Sequence, residues 1–306
     1  MQPHQRTPQQ HPLPPPPEIQ LHPGDCTQIL PSLQAESVHL VLTDPPYFLD
    51  GLDAHWKKGR PKKATGTIGG LPIGMKFDRR QSQSLQRFIE PVAAELLRIL
   101  KPGGFALIFS APRLYHRMAV AVENAGFEIR DQYVWHYTRK AQFKAFSMDH
   151  FVRKNPKYSA SEKQAVLTEL AGRKTPQLRP QFESILCAQK PRHGTFVENW
   201  LEHGTGLIDA AQTLSGQAPA TVMAAEKDPK DKYNCHLTPK PLRLCEHLIR
   251  LFTRPQQWVL DPFLGSGTTC LAAQQADRHS IGIEINPDYL QIAEKRLAAE
   301  TCQLPI

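Results

Sequence analysis

Val38-His39-Leu40-Val41-Leu42-Thr43-Asp44-Pro45-Pro46-Tyr47 is the stretch from which the rest of the chain is read. Its first six residues are mostly apolar and β-branched, the composition of a buried strand. Its last four end that strand. Each proline lacks a backbone N–H and fixes φ, so no strand ladder continues through Pro45 and Pro46. The chain therefore turns at the strand's carboxyl end, where open α/β sheets bind ligands. Asp44 and Tyr47 are expected to project into that crevice.

The prolines stiffen the turn, and their carbonyls have no neighbouring N–H competing for a ligand. An acceptor-only carboxylate, a fixed carbonyl and an aromatic face together suit an exocyclic amino group on a flat ring. Two acceptors take the two amino hydrogens. The nitrogen lone pair is then less delocalised into the ring and freer to attack an electrophile. The Tyr47 ring offers a stacking face. These are the requirements of methyl transfer to the amino group of a base taken out of its stack. A bare Asp-Pro pair is more often an ordinary turn. The full run from strand to aromatic carries the reading.

A second motif complements the first. Trp258-Val259-Leu260-Asp261 reads as a short strand, Pro262-Phe263-Leu264-Gly265-Ser266-Gly267 as a turn, and Thr268-Thr269 as caps of a helix opening at Cys270. A further strand follows over Ser280–Ile285. Its Glu284 stands 23 positions after Asp261, a spacing suited to a ribose hydroxyl pair in a nucleoside-binding βαβ unit. The glycine pattern is incomplete for a dinucleotide, since Cys270 stands where a third glycine would be. No Lys follows Gly267, which argues against a phosphate-binding P-loop. A nucleoside without a pyrophosphate suits the motif better, and S-adenosylmethionine is one.

The two motifs in this order resemble the β-group of DNA amino-methyltransferases, in which the catalytic motif comes first, a target-recognition region follows and the cofactor motif comes last. The resemblance runs from about Ile19 to about Leu297. It implies a doubly wound, mostly parallel, seven-stranded class I methyltransferase sheet in permuted order. It also implies catalytic roles for Asp44, Pro45, Pro46 and Tyr47, and S-adenosylmethionine as cofactor. Asp261, Phe263, Gly265, Gly267, Thr268 and Glu284 would hold that cofactor. Gly24-Asp25 resembles the motif whose carboxylate meets the cofactor's adenine, and Leu237-Thr238-Pro239-Lys240-Pro241 the cofactor-flanking motif, which adds Asp25, Thr238 and Lys240. Leu97–Gly104 resembles the segment that helps wall the site.

Charge points to a polyanionic partner. The net charge is +8, unevenly spread. Gly51 to Arg80 holds eight Lys or Arg against two Asp, a net +6. His136 to Pro180 holds ten against three acids, a net +7, so the remainder is −5. One basic stretch directly follows the catalytic motif. Double-stranded DNA laid across the site accounts for this distribution. Lys57, Lys58, Arg60, Lys62 and Lys63 of the first stretch are expected at phosphates, as are Arg139, Lys140, Lys144, Arg153 and Lys154 of the second. Phe143, Phe146, Phe151 and Tyr158 lie among the second set, an arrangement suited either to base stacking or to a small satellite core.

Other classes are less well supported. No run approaches the roughly 18 apolar residues of a membrane helix. Residues 1–17, rich in Pro, Gln and His, lack the apolar core of a signal peptide and read as a disordered tail. Six scattered cysteines without a CxxC pair read as reduced thiols in a cytoplasm, and neither they nor the histidines show metal-ligand spacing.

The expected division is a catalytic half over 18–137 with a basic loop over 48–80, a target-recognition region over 138–235 containing a core strand near 182–188, and a cofactor half over 236–300. Adenine N6 is the favoured target, because cytosine-N4 enzymes of the resembled family usually carry Ser in place of the Asp. Cytosine N4 stays open as the alternative. Cytosine C5 methylation needs a cysteine nucleophile, usually after Pro, and the chain has no Pro-Cys pair. An inactive scaffold would have no need of intact Asp44, Gly265, Gly267 and Glu284. A nicotinamide oxidoreductase would have no use for Asp44 to Tyr47. The resemblance further implies a bacterial or phage enzyme acting at the nucleoid, monomeric or homodimeric, and admits a cognate restriction endonuclease as a partner.

Overall fold

The computed structural model describes residues 15–47, 67–68, 71–72, 79–137, 147–176, 178, 180–226 and 240–301. The chain enters through β1 (Ile19–Pro23), a turn of helix α1 (Cys26–Ile29) continued as one 3-10 turn over Leu30–Ser32, and β2 (Val38–Thr43). All six residues of β2 are buried, as its apolar sequence requires for a strand covered on both faces. Two short strands, β3 (Thr67–Ile68) and β4 (Leu71–Pro72), pair antiparallel within the basic stretch. Helix α2 (Arg79–Ile99) follows. It buries Leu85, Ile89, Val92, Ala93, Leu96 and Ile99, a three-to-four-residue recurrence that lays one face on the sheet.

The helix stops at Ile99, and β5 (Leu100–Ser110) opens at once. Its pairing with β2 slips between Val38↔Leu100 and Leu40↔Phe105, so the Pro-Gly-Gly segment is taken up as an irregularity inside the strand. The freed Pro102 carbonyl accepts from Thr205 Oγ1 at 2.5 Å and Asn199 Nδ2 at 3.1 Å.

After α3 (Tyr115–Asn124) and β6 (Glu128–Tyr137) the chain forms two short helices, α4 (Asp149–Lys154) and α5 (Ala160–Glu169), outside the sheet. It returns as β7 (Phe182–Gln189), then α6 (Phe196–His203) and β8 (Val222–Ala225). The last quarter alternates regularly: α7 (Leu242–Phe252), β9 (Trp258–Asp261), α8 (Thr268–Gln275), β10 (His279–Glu284) and α9 (Pro287–Thr301).

Eight of these strands form one sheet in the order β1-β10-β9-β2-β5-β7-β6-β8. Only β7 runs against its neighbours. The expectation was seven strands. The eighth, β8, lies in a stretch whose fold the sequence did not resolve, and adds a parallel edge beside β6, where Trp135 Nε1 donates to the Ala225 carbonyl at 2.9 Å. One face packs Val41, Ala106 and Ile108 under α2 and α3. The other packs Leu40, Leu42, Leu107 and Phe109 under α7 and α8. Both faces are covered, which is the architecture expected of a doubly wound α/β sheet.

The consequence for function lies between β2 and β9. They are parallel neighbours, with Val41 beside Leu260. From β9 the chain crosses to β10, and from β2 it crosses the other way to β5. Their carboxyl ends therefore flank a topological switch point, the place where such sheets leave a crevice.

Candidate active site

The residue after β2 is Asp44, and the two prolines turn the chain so that Tyr47 folds back over it. The Tyr47 hydroxyl lies 2.5 Å from Asp44 Oδ1 and also against Glu183 Oε1, its single proton shared between the two carboxylates. Lys240 Nζ lies 2.5 Å from Asp44 Oδ2 and 3.1 Å from Glu183 Oε1. Tyr137 Oη reaches the other Glu183 oxygen at 3.4 Å. Lys240 and Glu183 are each 8% exposed. Burial alone would lower the Lys240 pKa, but the carboxylates of Asp44 and Glu183 outweigh it and raise it. Burial and the same two carboxylates push Tyr47 well above the ordinary phenol value, so its hydroxyl stays a donor.

Across the switch point stands Asp261, only 3% exposed. Burial raises its carboxyl to about 6, against the hydrogen bonds from Thr43, Thr269 and the Phe263 N–H that lower it. Thr43 Oγ1 donates to Asp261 Oδ1 at 2.7 Å, and the Phe263 N–H at 3.1 Å. Glu284, at the end of β10, accepts from the Gly265 N–H at 2.7 Å and the Asn286 N–H at 2.8 Å. Burial raises its pKa too, opposed by those backbone donors. The turn between the two acids needs glycine twice: Gly265 has φ 56° and Gly267 φ 83°, and a Cβ on Gly267 would sit 2.8 Å from the Ala293 methyl.

The arrangement thus sets the Asp44–Lys240–Glu183 cluster beside the buried carboxylates of Asp261 and Glu284. In comparison with known proteins, a family model described as DNA methylase, of the N6/N4 type, matches residues 38–295. The chain belongs to the N6/N4 DNA methylase family.

Type II methyltransferase M.HindIII of Haemophilus influenzae is 30% identical to this methylase over 290 residues, covering 88% of this chain and 91% of the relative. Among solved structures, the cytosine-N4-specific PvuII DNA methyltransferase matches with a TM-score of 0.61 at 18% identity, over 92% of this chain and 88% of that one. The M1.HpyAVI–SAM complex matches with a TM-score of 0.52 at 21% identity, over 91% and 99%. The fold is that of DNA methyltransferases, and the chain is a site-specific DNA methyltransferase of the N6/N4 family.

The expected site residues of this methylase fall into three groups. Asp44, Pro45, Pro46 and Tyr47 follow β2, and Asp261, Phe263, Gly265, Gly267 and Glu284 lie at the ends of β9 and β10 and in the turn after β9. Phe263 meets the Phe88 ring at a centroid distance of 5.9 Å. Asp25 caps α1, accepting from the Thr27 N–H at 2.9 Å and hydroxyl at 2.8 Å, at the end of β1 beside β10. Two placements differ from expectation. Thr268 and Thr269 are not caps: the helix starts at Thr268 behind Gly267, and the Thr268 hydroxyl takes a bond from buried Arg296 at 3.2 Å. Lys240, expected with the cofactor, has its ammonium on Asp44 and Glu183.

Thr238, Lys57, Lys58, Arg60, Lys62, Lys63, Arg139, Lys140 and Lys144 lie outside the described residues, as do most of the 1–17 tail and the 48–80 loop. Arg153 and Lys154 are exposed at the end of α4. Among the described residues no group of three or more His, Cys, Asp or Glu is arranged to hold a metal ion, and no helix is long and apolar enough to cross a membrane.

Sequence reasoning missed Glu183, Thr43 and Arg296. Arg296 is 3% exposed and its guanidinium donates to the Ser266 carbonyl and hydroxyl, stapling the glycine turn to α9. The signal for Glu183 was a lone acid at the head of the otherwise apolar Ile185–Ala188 run.

Proposed function

We propose that the protein transfers a methyl group from S-adenosylmethionine to the exocyclic N6 of adenine in duplex DNA, with the target base flipped into the crevice. The observation that carries this is Asp44, a partly exposed carboxylate at the mouth of β2 beside the nucleoside cradle, in the position where cytosine-N4 enzymes usually have serine. The donor set suits such a cofactor: two carboxylates at the ends of adjacent strands for ribose hydroxyls, a glycine turn allowing close approach, and no lysine for a phosphate. Asp261, Phe263, Gly265, Gly267, Glu284 and Asp25 would hold it, with Thr268 contributing backbone at the start of α8.

When bound, the cofactor supplies an electrophilic methyl group on a sulfonium centre. Asp44 and a Pro45-Pro46 carbonyl accept the two amine hydrogens, and Tyr47 stacks on the base. The target nitrogen would take that methyl group and give up one amine proton. A fixed carboxylate beside a nitrogen gaining positive charge stabilises the transition state more than the ground state. Arg153, Lys154 and the basic loops would neutralise phosphates, and the region 138–235 would read sequence. Duplex DNA is the partner, in the cytoplasm, with a cognate endonuclease admitted by this reading.

Incubation with labelled S-adenosylmethionine and mixed duplex DNA, followed by nucleoside mass spectrometry, tests the reading. N6-methyladenine is expected. N4-methylcytosine would move the target to cytosine within the same fold. Absence of any methylated nucleoside in every duplex tried would overturn it.

A further inference from the structure

Glu183 reaches the active site because β7 is antiparallel. The parallel strands end at the crevice, whereas β7 begins there, with Glu183 paired to Trp135 and Ser184 to Ser110. A carboxylate at that depth is costly unless paired. Its partners are side chains facing the site: the Tyr47 hydroxyl, the Lys240 ammonium at 3.1 Å and the Tyr137 hydroxyl at 3.4 Å. Among the described residues its carboxylate meets no helix cap, so packing supplies no reason for an acid here.

Charge supplies one. Lys240 Nζ sits 2.5 Å from Asp44 Oδ2, with the Phe109 ring centroid 5.0 Å away on another side. An ammonium paired with Asp44 alone would leave a neutral pair opposite a nitrogen that becomes positive as the methyl transfers. It would also add like-charge repulsion. A second carboxylate shares the ammonium and leaves two negative charges against one positive. It also meets the Tyr47 hydroxyl alongside Asp44, setting the orientation of the stacking ring.

We infer that Glu183 is a positioning residue for methyl transfer, which shares Lys240 with Asp44 so that the amine pocket keeps one net negative charge. This deepens the proposed function and rests on its assignment of Asp44 to the target amine. Lys240 accordingly belongs to the amine pocket, where it holds both carboxylates in place.

The test uses the full chain, duplex DNA and saturating S-adenosylmethionine, with E183Q, K240M and the double variant E183Q/K240M. Single-turnover rates are measured across pH, with cofactor affinity by calorimetry and thermal unfolding of each variant. E183Q keeps the shape and one acceptor oxygen but brings the cluster to neutral. It should lose roughly tenfold to a hundredfold in rate with cofactor affinity unchanged. K240M leaves two carboxylates facing each other, so the acid limb of its rate–pH profile should move to higher pH. The other titratable groups facing the cluster, Tyr47, Tyr137, Cys245 and Asp261, are the same in all variants.

The double variant restores one net negative charge. It should be at least several-fold faster than E183Q, with its acid limb returned toward the wild-type position. A wild-type rate for E183Q, or a double variant no faster than E183Q, overturns the inference. Should E183Q fail to fold, the acid limb of K240M must still lie at higher pH than that of the double variant, and coincident limbs overturn the inference as well. A wild type that methylates no DNA would instead remove the assignment of Asp44 on which this rests.

Discussion

Thr43 Oγ1 donates to Asp261 Oδ1 at 2.7 Å across a separation of 218 residues, joining the carboxyl end of β2 to the carboxyl end of β9. The bond sits where Asp261 is buried and its carboxyl is raised to about 6 from an ordinary 3.8. Between those values the folded protein binds more protons than the unfolded chain. Stability contributed by this group is therefore present at low pH and falls as pH rises from about 4 to about 6. A shift of roughly two units corresponds to about 3 kcal/mol. Asp261→Asn should lack that slope, so its unfolding free energy should gain on the wild type by about this amount between pH 4 and pH 7, while cofactor binding is lost. Denaturant unfolding across that range measures the difference. Parallel curves would show that Asp261 pairs better than its burial implies.

Glu284 contributes both to the fold and to the proposed cradle, since its oxygens hold the Gly265 and Asn286 N–H groups. Glu284→Ala should weaken S-adenosylmethionine binding without DNA by roughly 1–3 kcal/mol, the scale of charge-assisted hydrogen bonds. It should also lower the unfolding free energy, because two buried N–H groups lose their acceptor. Calorimetry and unfolding separate the two effects. Unchanged cofactor affinity in a folded variant would remove Glu284 from the site.

Most of the architecture was legible because it rests on local pattern. The apolar runs of β2, β9 and β10 mark buried parallel strands, and the spacing of Leu85, Ile89, Val92 and Leu96 marks α2. Asp44 and Asp261 stood out as acids ending such runs. What stayed hidden depends on long-range placement. Glu183 reads as the edge of one more strand until the antiparallel insertion of β7 carries its beginning to Asp44. Lys240 was read from its neighbours in sequence, whereas its ammonium meets partners 196 and 57 positions away. The Thr268-Thr269 pair imitates a cap because Ser and Thr cap so often. The left-handed backbone of Gly267 starts the helix instead. Strand β8 is four residues long and alternates exposed with buried, too short for its period to register.

The basic stretches give a prediction in solution. Replacing Lys57, Lys58, Lys62 and Lys63 by Ala should lower DNA affinity and flatten its dependence on salt by roughly 0.9 in log–log slope per lost phosphate contact. S-adenosylmethionine affinity should persist. Binding isotherms at several salt concentrations read the slope. An unchanged slope would make those lysines solvated surface with no phosphate contact.

Asp44 gives the sharpest prediction about mechanism. It lies at the mouth of an apolar strand, where water is partly excluded and a fixed acceptor is worth most. Its two oxygens already take the Tyr47 hydroxyl and the Lys240 ammonium, so its geometry is set before a base arrives. Asp44→Asn keeps the shape and one acceptor oxygen, but removes the charge that polarises the amine. It also presents an NH2 donor toward Lys240 or the target. Both ligands should still bind, while the single-turnover rate should fall by about two or more orders of magnitude, the usual loss for one preorganised electrostatic group. Asp44→Ser is the companion test, because a serine serves the cytosine-N4 enzymes of the family. It accepts and donates without charge, and its hydroxyl is too short to hold Lys240 as Asp44 does. Rate measurements on adenine-only and cytosine-only duplexes then separate the roles. If Asp44→Asn transfers methyl groups at the wild-type rate, the carboxylate is a turn residue and the amine is held elsewhere. If Asp44→Ser works better on cytosine than the wild type works on adenine, base choice follows this one position.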